Sequence, residues 1–249
     1  MSDARVCVIT GASGGIGEEV VKKYYKNGYD VVMLDIKEEA LKALMEKEKF
    51  DPARVIYKTL DVSSEEQVIN TVSKIKEEKG RIDVLVNTAG IIGKYDETIK
   101  YTFDNFKRIY EINVFGTFLM MKYVLPVMVE QKKGAIVNFG SCSGMTGYTS
   151  EVGYGSSKWA VIGMTKTVAN EYFKQGIRAN SISPGWVNTE MLKQTLRDYE
   201  TTGDTVNFGC PGRPGEPSEM ADAVYYLSSD DASFVNGVNL LVDGGKMLD

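Results

Sequence analysis

Seven short runs rich in valine and isoleucine recur along the chain, at 5–10, 30–35, 54–60, 82–87, 134–140, 177–183 and 238–242, with longer helical stretches between them. This alternation constrains the fold more than any other feature. Strands that are each followed by a helix pair in parallel, through right-handed crossovers. Runs that are apolar at every position, such as Val84-Leu85-Val86, suit strands covered on both faces. The pattern predicts an α/β fold: a doubly wound parallel sheet of about seven strands with helices on both faces. Past Asp61, Ser63-Ser64-Glu65-Glu66 is expected to open a helix with a capping box between Ser63 and Glu66. No repeat, linker or low-complexity segment interrupts the alternation. The one shift in composition is 203–217, where Pro211, Pro214 and Pro217 supply half of the six prolines. It reads as a loop too long to be only a connection, and so as a substrate lid.

Several function classes are excluded by what the chain lacks. It has no histidine, which removes the commonest general base, the commonest metal ligand and every Ser-His or Cys-His arrangement. Its three cysteines, Cys7, Cys142 and Cys210, are odd in number and show no C-x-x-C. They read as reduced thiols of a cytoplasmic protein, with no metal site and no disulfide framework. Cys142 lies beside a candidate site residue, but packing accounts for it. A net charge of -5 without a basic cluster argues against nucleic acid. No uninterrupted apolar run of 18 and no signal-peptide pattern points to a membrane, since Arg5-Val6-Cys7-Val8-Ile9 opens the first strand almost at once.

The chemistry-bearing residues fall at the ends of the predicted strands. Thr10-Gly11-Ala12-Ser13-Gly14-Gly15-Ile16-Gly17 follows the first strand and opens a long helical stretch. Glycines at such a turn let backbone approach a pyrophosphate, and the helix N-terminus offers unpaired N–H groups to the charge. Asp35 closes the second strand, 18 residues past Gly17. A carboxylate there accepts hydrogen bonds from the adenosine ribose and repels a 2′-phosphate. Tyr154 and Lys158 stand four apart, and of 14 tyrosines Tyr154 alone has a lysine at that spacing. On a helix the pair shares one face, and a cation beside the phenol is expected to pull its pKa down from about 10 toward neutrality. A phenol so tuned can act as general acid and base.

These residues resemble the short-chain dehydrogenase/reductase family along nearly the whole chain. The T-G-x-x-x-G-x-G pattern is Thr10 to Gly17, and the N-N-A-G motif is present as Asn87-Thr88-Ala89-Gly90, with one departure at Thr88. The Y-x-x-x-K pair is Tyr154 and Lys158, with Ser141 thirteen residues before the tyrosine. Asn113 in Glu111-Ile112-Asn113-Val114, Pro184-Gly185 with Thr189, and Val242-Asp243-Gly244-Gly245 complete the set. The resemblance implies a single Rossmann-type domain over 1–249, with a substrate-lid segment at about 186–216.

It also implies roles. Ser141 would hydrogen-bond the substrate oxygen, Tyr154 would exchange a proton with it, and Lys158 would bond the nicotinamide ribose. Asn113 would hold a water linking Lys158 to solvent. Gly11, Ser13, Gly15, Ile16 and Gly17 would cradle the pyrophosphate, and Asp35 with Ile36 would face the ribose. Asp61 and Val62 would frame the adenine, and Asn87, Ala89 and Gly90 would line the adenosine side. Val187 with Thr189 would contact the carboxamide, and Pro184 and Gly185 would also bind the cofactor. Gly14 stands where NADPH-using relatives carry a basic residue, and Ile36 is not arginine, so NAD is the expected cofactor. The apolar residues Ile91, Ile92, Met145, Tyr148, Val152, Trp186, Met191, Leu192 and Phe208, with Met145 and Trp186 as substrate contacts, predict a roomy apolar pocket. That favours a bulky secondary alcohol such as a hydroxysteroid. Reduction of 3-oxoacyl thioesters is the alternative, because Gly212-Arg213-Pro214-Gly215-Glu216-Pro217 resembles that branch. A non-catalytic dinucleotide-binding regulator would need no Ser141, Tyr154 and Lys158 together, and the longer epimerase branch needs a C-terminal domain that about 60 residues after Thr189 do not provide. Relatives are usually homotetramers, which here would pair helices expected at roughly 101–131 and 151–175, with Phe115, Phe118, Met121, Val124 and Leu125 as apolar positions.

Overall fold

A computed structural model of the protein describes residues 4–202 and 206–248. All seven expected strands are present: β1 (Val6–Thr10), β2 (Asp30–Asp35), β3 (Val55–Thr59), β4 (Val84–Asn87), β5 (Gly134–Phe139), β6 (Ile177–Pro184) and β7 (Asn239–Val242). They form one parallel sheet in the order β3-β2-β1-β4-β5-β6-β7. The order reverses between β1 and β4, and the crevice outside the strand ends at such a reversal is where ligands bind in doubly wound sheets.

Successive side chains along each strand part to opposite faces. Cys7, Ile9, Val31, Met33, Val84 and Val86 face one core, closed by α1 (Gly15–Lys26), α2 (Glu38–Glu48) and α8 (Pro217–Ser228). Val6, Val8, Val32, Leu34, Leu85 and Ile136 face the other, closed by α3 (Glu65–Lys79), α5 (Thr117–Gln131) and α6 (Val152–Tyr172). Apolar residues on both faces explain why these strands read as unbroken hydrophobic runs.

Three details differ from expectation. The cap of α3 is Ser64, whose hydroxyl accepts from Gln67 N, while Ser63 donates to Asp61 instead. The stretch expected at 101–131 is α4 (Phe103–Tyr110) and α5 joined by a π-helical turn at Glu111–Gly116, which carries Asn113. By length and composition Phe103–Gln131 could cross a membrane, but 61% of its apolar window is buried in the fold, as in a core helix. Finally, the lid segment expected at about 186–216 carries a helix, α7 (Glu190–Thr202), ahead of the loop expected from 203, and Val187 bridges to Gly215. Residues 203–205 of the expected lid lie outside the described residues.

Candidate active site

The glycine turn is shaped by contacts that only glycine permits. Gly11 has φ +62°, and a Cβ there would lie 2.8 Å from Ala89 Cα. A Cβ on Gly17 would lie 2.2 Å from Gly11 O, so α1 can start this close to the turn only without a side chain. Thr88, the departure from the expected motif, has a job here: its hydroxyl donates to Thr10 O and Gly11 O and ties β4 to the turn. The N-cap of α1 is Gly14, which contributes no side-chain bond, and Gly14 and Gly15 are exposed. Helix N–H groups left this way suit a phosphate. Asp35 reaches the same turn, accepting from Ser13 N at 3.1 Å and Ser13 Oγ at 2.7 Å. Ile36 beside it is 55% exposed.

The flanking residues divide into open and engaged. Burial pushes the Asp61 carboxyl up, but the hydroxyl and amide of Ser63 outweigh it and hold the pKa below the usual value. Val62 is buried, and a Cβ on Gly116 of the π-helical turn would meet it at 2.6 Å. Asn87 is turned into the sheet, where its Nδ2 donates to Asn138 Oδ1 at 2.8 Å. Asn87 Oδ1 is buried without a hydrogen-bond partner, and Thr88 and Gly90 line the cleft beside it. The residues present fit a dinucleotide: an open helix N-terminus, a carboxylate at the end of β2 and a cleft continuing past Ile16 toward β5 and β6.

Ser141, Tyr154 and Lys158 converge on that cleft. Ser141 lies two residues past β5 and caps the short helical turn Cys142–Gly144 by accepting from Ser143 N at 3.2 Å. Tyr154 is half-buried, yet burial is the largest influence on its phenol. With Glu151 and Cys142 nearby, and against the hydrogen bond to Ser141, it pushes the pKa up to about 12. The expected lowering by Lys158 is therefore corrected. The ammonium donates to Phe139 O at 2.9 Å and sits 5.6 Å from the centre of the Tyr154 ring. Burial also lowers the pKa of Lys158 itself to about 8, so the charge meant to act on the phenol is weakened. A Cβ on Gly90 would lie 3.2 Å from Asn113 Oδ1 and 3.5 Å from Lys158 Nζ, so glycine there keeps the space between them open. Asn113 accepts from Ile91 N and donates to Ile91 O, both at 2.9 Å, and donates to Ser157 Oγ at 3.0 Å.

On the far wall, Pro184, Gly185, Val187 and Thr189 line the cleft, and Thr189 packs against Gly15, closing the ring between the two halves. Of the apolar residues singled out from the sequence, Ile92, Trp186, Met191 and Leu192 line it, whereas Ile91, Met145, Tyr148, Val152 and Phe208 do not. Met145 follows the turn at Cys142–Gly144 and points to β7, its Sδ accepting from Asn239 Nδ2 at 3.0 Å. Burial pushes the Cys142 thiol up to about 11, in keeping with packing. Two charged residues of the cleft were not foreseen, Glu151 and Lys246. The first signals itself as a lone acid three residues before Tyr154. The second is 88 positions from Lys158 and arrives through turns at Gly244 and Gly245, both at positive φ.

Comparison with known proteins agrees with this geometry. The family model described as enoyl-(acyl carrier protein) reductase matches residues 11–246. The chain is 34% identical over 247 residues to the 3-oxoacyl-(acyl-carrier-protein) reductase FabG of Thermotoga maritima, covering 99% of each. Among solved structures, ElxO with NADP bound is 33% identical with a TM-score of 0.91, covering 99% of this chain and 100% of that one. NAD+-bound xylitol dehydrogenase is also 33% identical, with a TM-score of 0.87, covering 97% and 98%.

Proposed function

The chain belongs to the short-chain dehydrogenase/reductase family, and from that premise we propose that it interconverts a secondary alcohol and a ketone with NAD(H). Membership makes it an oxidoreductase with a nicotinamide cofactor. The observation that carries the reading is the meeting of Ser141, Tyr154 and Lys158 on one cleft with Ile16 of the glycine turn. When bound, the cofactor supplies or takes the hydride. Gly11 to Gly17 and the start of α1 hold its pyrophosphate, and Asp61 and Val62 its adenine. Pro184, Gly185, Val187 and Thr189 hold the carboxamide end. Preference for NAD rests on Asp35, which Ser13 holds at the turn, and on Ile36, which offers no cation to a 2′-phosphate.

The chain's own groups manage the proton. Ser141 donates to the substrate oxygen and fixes its position. Tyr154, kept protonated by burial, gives that oxygen its proton in reduction and takes one back in oxidation. Lys158, cationic below its pKa of about 8, stabilises the phenolate as it forms and bonds the cofactor ribose. Asn113 Oδ1, across Gly90 from the ammonium, keeps a lone pair for a water that links Lys158 to solvent.

The apolar wall of Ile92, Trp186, Met191 and Leu192, contributed largely by the segment 186–216, supports a bulky substrate such as a hydroxysteroid. The Thermotoga relative favours a second reading, reduction of a 3-oxoacyl thioester. A panel including a hydroxysteroid, simple secondary alcohols and an acetoacetyl thioester, assayed with both cofactors, tests this. Oxidation of a secondary alcohol with NAD+ is expected, a thioester-only profile would select the second reading, and no hydride transfer anywhere would sink both. We also propose a cytoplasmic homotetramer. Phe115 and Phe118 are exposed beside the apolar groove between α5 and α6, although Met121, Val124 and Leu125 are already buried within the subunit. Sedimentation as a monomer at micromolar concentration would contradict the assembly.

A further inference from the structure

Glu151 is a buried polar group of the cleft for which the chemistry above has no use. It stands at the N-cap of α6, yet its side chain caps no helix N–H. The residue is 6% exposed. Its carboxyl is hydrogen-bonded by Ser143, while Oε2 is buried without a hydrogen-bond partner. A carboxyl has about four acceptor sites, and an interior oxygen left unmet is unfavourable. The side chain belongs to the wall of the cleft that holds Ser141 and Tyr154. Residues three apart at the start of a helix project from one side of it, so Glu151 rises beside the phenol. A molecule whose reacting oxygen rests on Tyr154 and Ser141 lies in the same cleft as Oε2 and can offer it a partner.

We propose that Glu151 determines specificity by accepting a hydrogen bond from a second hydroxyl of the substrate, one or two carbons from the carbon that is oxidised. The inference rests on the oxidoreductase reading and narrows its substrate class to an apolar body with a neighbouring diol. A neutral hydroxyl fits better than an ammonium, because Lys246 lines the same cleft. Its Nζ lies 4.2 Å from the ring centre of Tyr148 and 4.6 Å from that of Trp186. A second cation entering there would meet like charge. A substrate lacking the hydroxyl would press carbon against Oε2 and keep water from it, the situation in which sites built around a polar contact reject the analogue.

Matched alcohols test the assignment with the purified chain and NAD+. The pairs are cyclohexanol against trans-1,2-cyclohexanediol and 2-butanol against 2,3-butanediol and 1,3-butanediol, with 1-amino-2-propanol as cationic control. The wild type should show at least about tenfold higher kcat/KM for the diol in a matched pair, mostly through KM, and a poor rate with the amine. Glu151→Leu, which deletes the acceptor at similar size, should bring the diol to mono-ol ratio near one. Glu151→Gln, which keeps an acceptor oxygen, should give an intermediate ratio, and it decides the question if melting curves show Glu151→Leu unfolded. A wild-type ratio near one, a preference for mono-ols, or a ratio that survives both substitutions overturns the assignment while leaving the oxidoreductase reading intact. Absence of turnover for every alcohol and ketone with either cofactor would remove that reading, and this inference with it.

Discussion

At the glycine-turn end of the cleft, Asp35, Asp61 and Thr88 are already bonded to their neighbours. Asp35 takes two bonds from Ser13, Asp61 takes two from Ser63, and Thr88 is tied to backbone carbonyls. At the other end the polar groups are buried and short of partners. Glu151 has an unmet oxygen, Tyr154 is pushed up to about 12 and Lys158 is drawn down to about 8. The difference separates two tasks. A ligand that needs only to be held meets a finished surface whose charges are fixed. A substrate that must exchange a proton meets a phenol that burial keeps protonated and an ammonium that burial has brought closer to neutrality.

The sharpest break between the two ends is expected from Tyr154→Phe. It removes the proton and keeps the ring, so turnover should fall about 10²–10⁴-fold while NADH binding by fluorescence titration stays close to wild type. Turnover within a few fold of wild type would mean that the catalytic end works without its phenol. Gly17→Ala attacks the other end. Its Cβ would sit 2.2 Å from a backbone oxygen that cannot give way, so a stability loss of about 1–3 kcal/mol is expected, with weakened cofactor binding. Unchanged melting and affinity would show that the turn is looser than its contacts indicate.

Asp35→Ser combined with Ile36→Arg sharpens the comparison at the level of charge. Removing the carboxylate and adding a cation should narrow or reverse a preference for NAD of about tenfold, or about 1.4 kcal/mol. Equal kcat/KM for NADH and NADPH in the wild type would remove Asp35 from the ribose. The smallest effect concerns Lys158. Its folded pKa lies below that of a free lysine, so the unfolded chain binds more protons and this group's contribution to stability rises with pH above about 8. Between pH 7 and 9 the wild type should gain about 1 kcal/mol relative to Lys158→Met in denaturant melts. A flat difference would show the ammonium fully charged in the folded protein.

How far the sequence could carry these conclusions follows from where each signal lies. The strands were legible because burial on both faces writes itself as runs of Val, Ile and Leu. The turn at Gly11 to Gly17 and the Tyr154–Lys158 pair were legible because each is local, within seven and five residues. The pKa order was not, because it depends on burial and on Phe139 O, which the fold brings to the ammonium from 19 positions away. The pocket wall was half legible for the same reason. Ile92 and Trp186 follow their strands directly, whereas Met145 is swung out to β7 and Lys246 swung in by turns that no periodicity marks.

The π-helical turn at Glu111–Gly116 carries a consequence for how this chain could vary. A π turn amounts to one residue more than an α-helix of the same span needs. Deleting one residue there would let α4 and α5 run on as an ordinary helix, and the two cores that flank the sheet would hardly register the loss. Residues within the turn itself would nonetheless be redistributed around the helix, by up to about 100°, the angle between neighbours in a helix of 3.6 residues per turn. Asn113 would then no longer reach Ile91 and Ser157 together. The surplus residue is spare length to the scaffold and indispensable to the site, so drift in helix length at this point would yield folded but silent proteins.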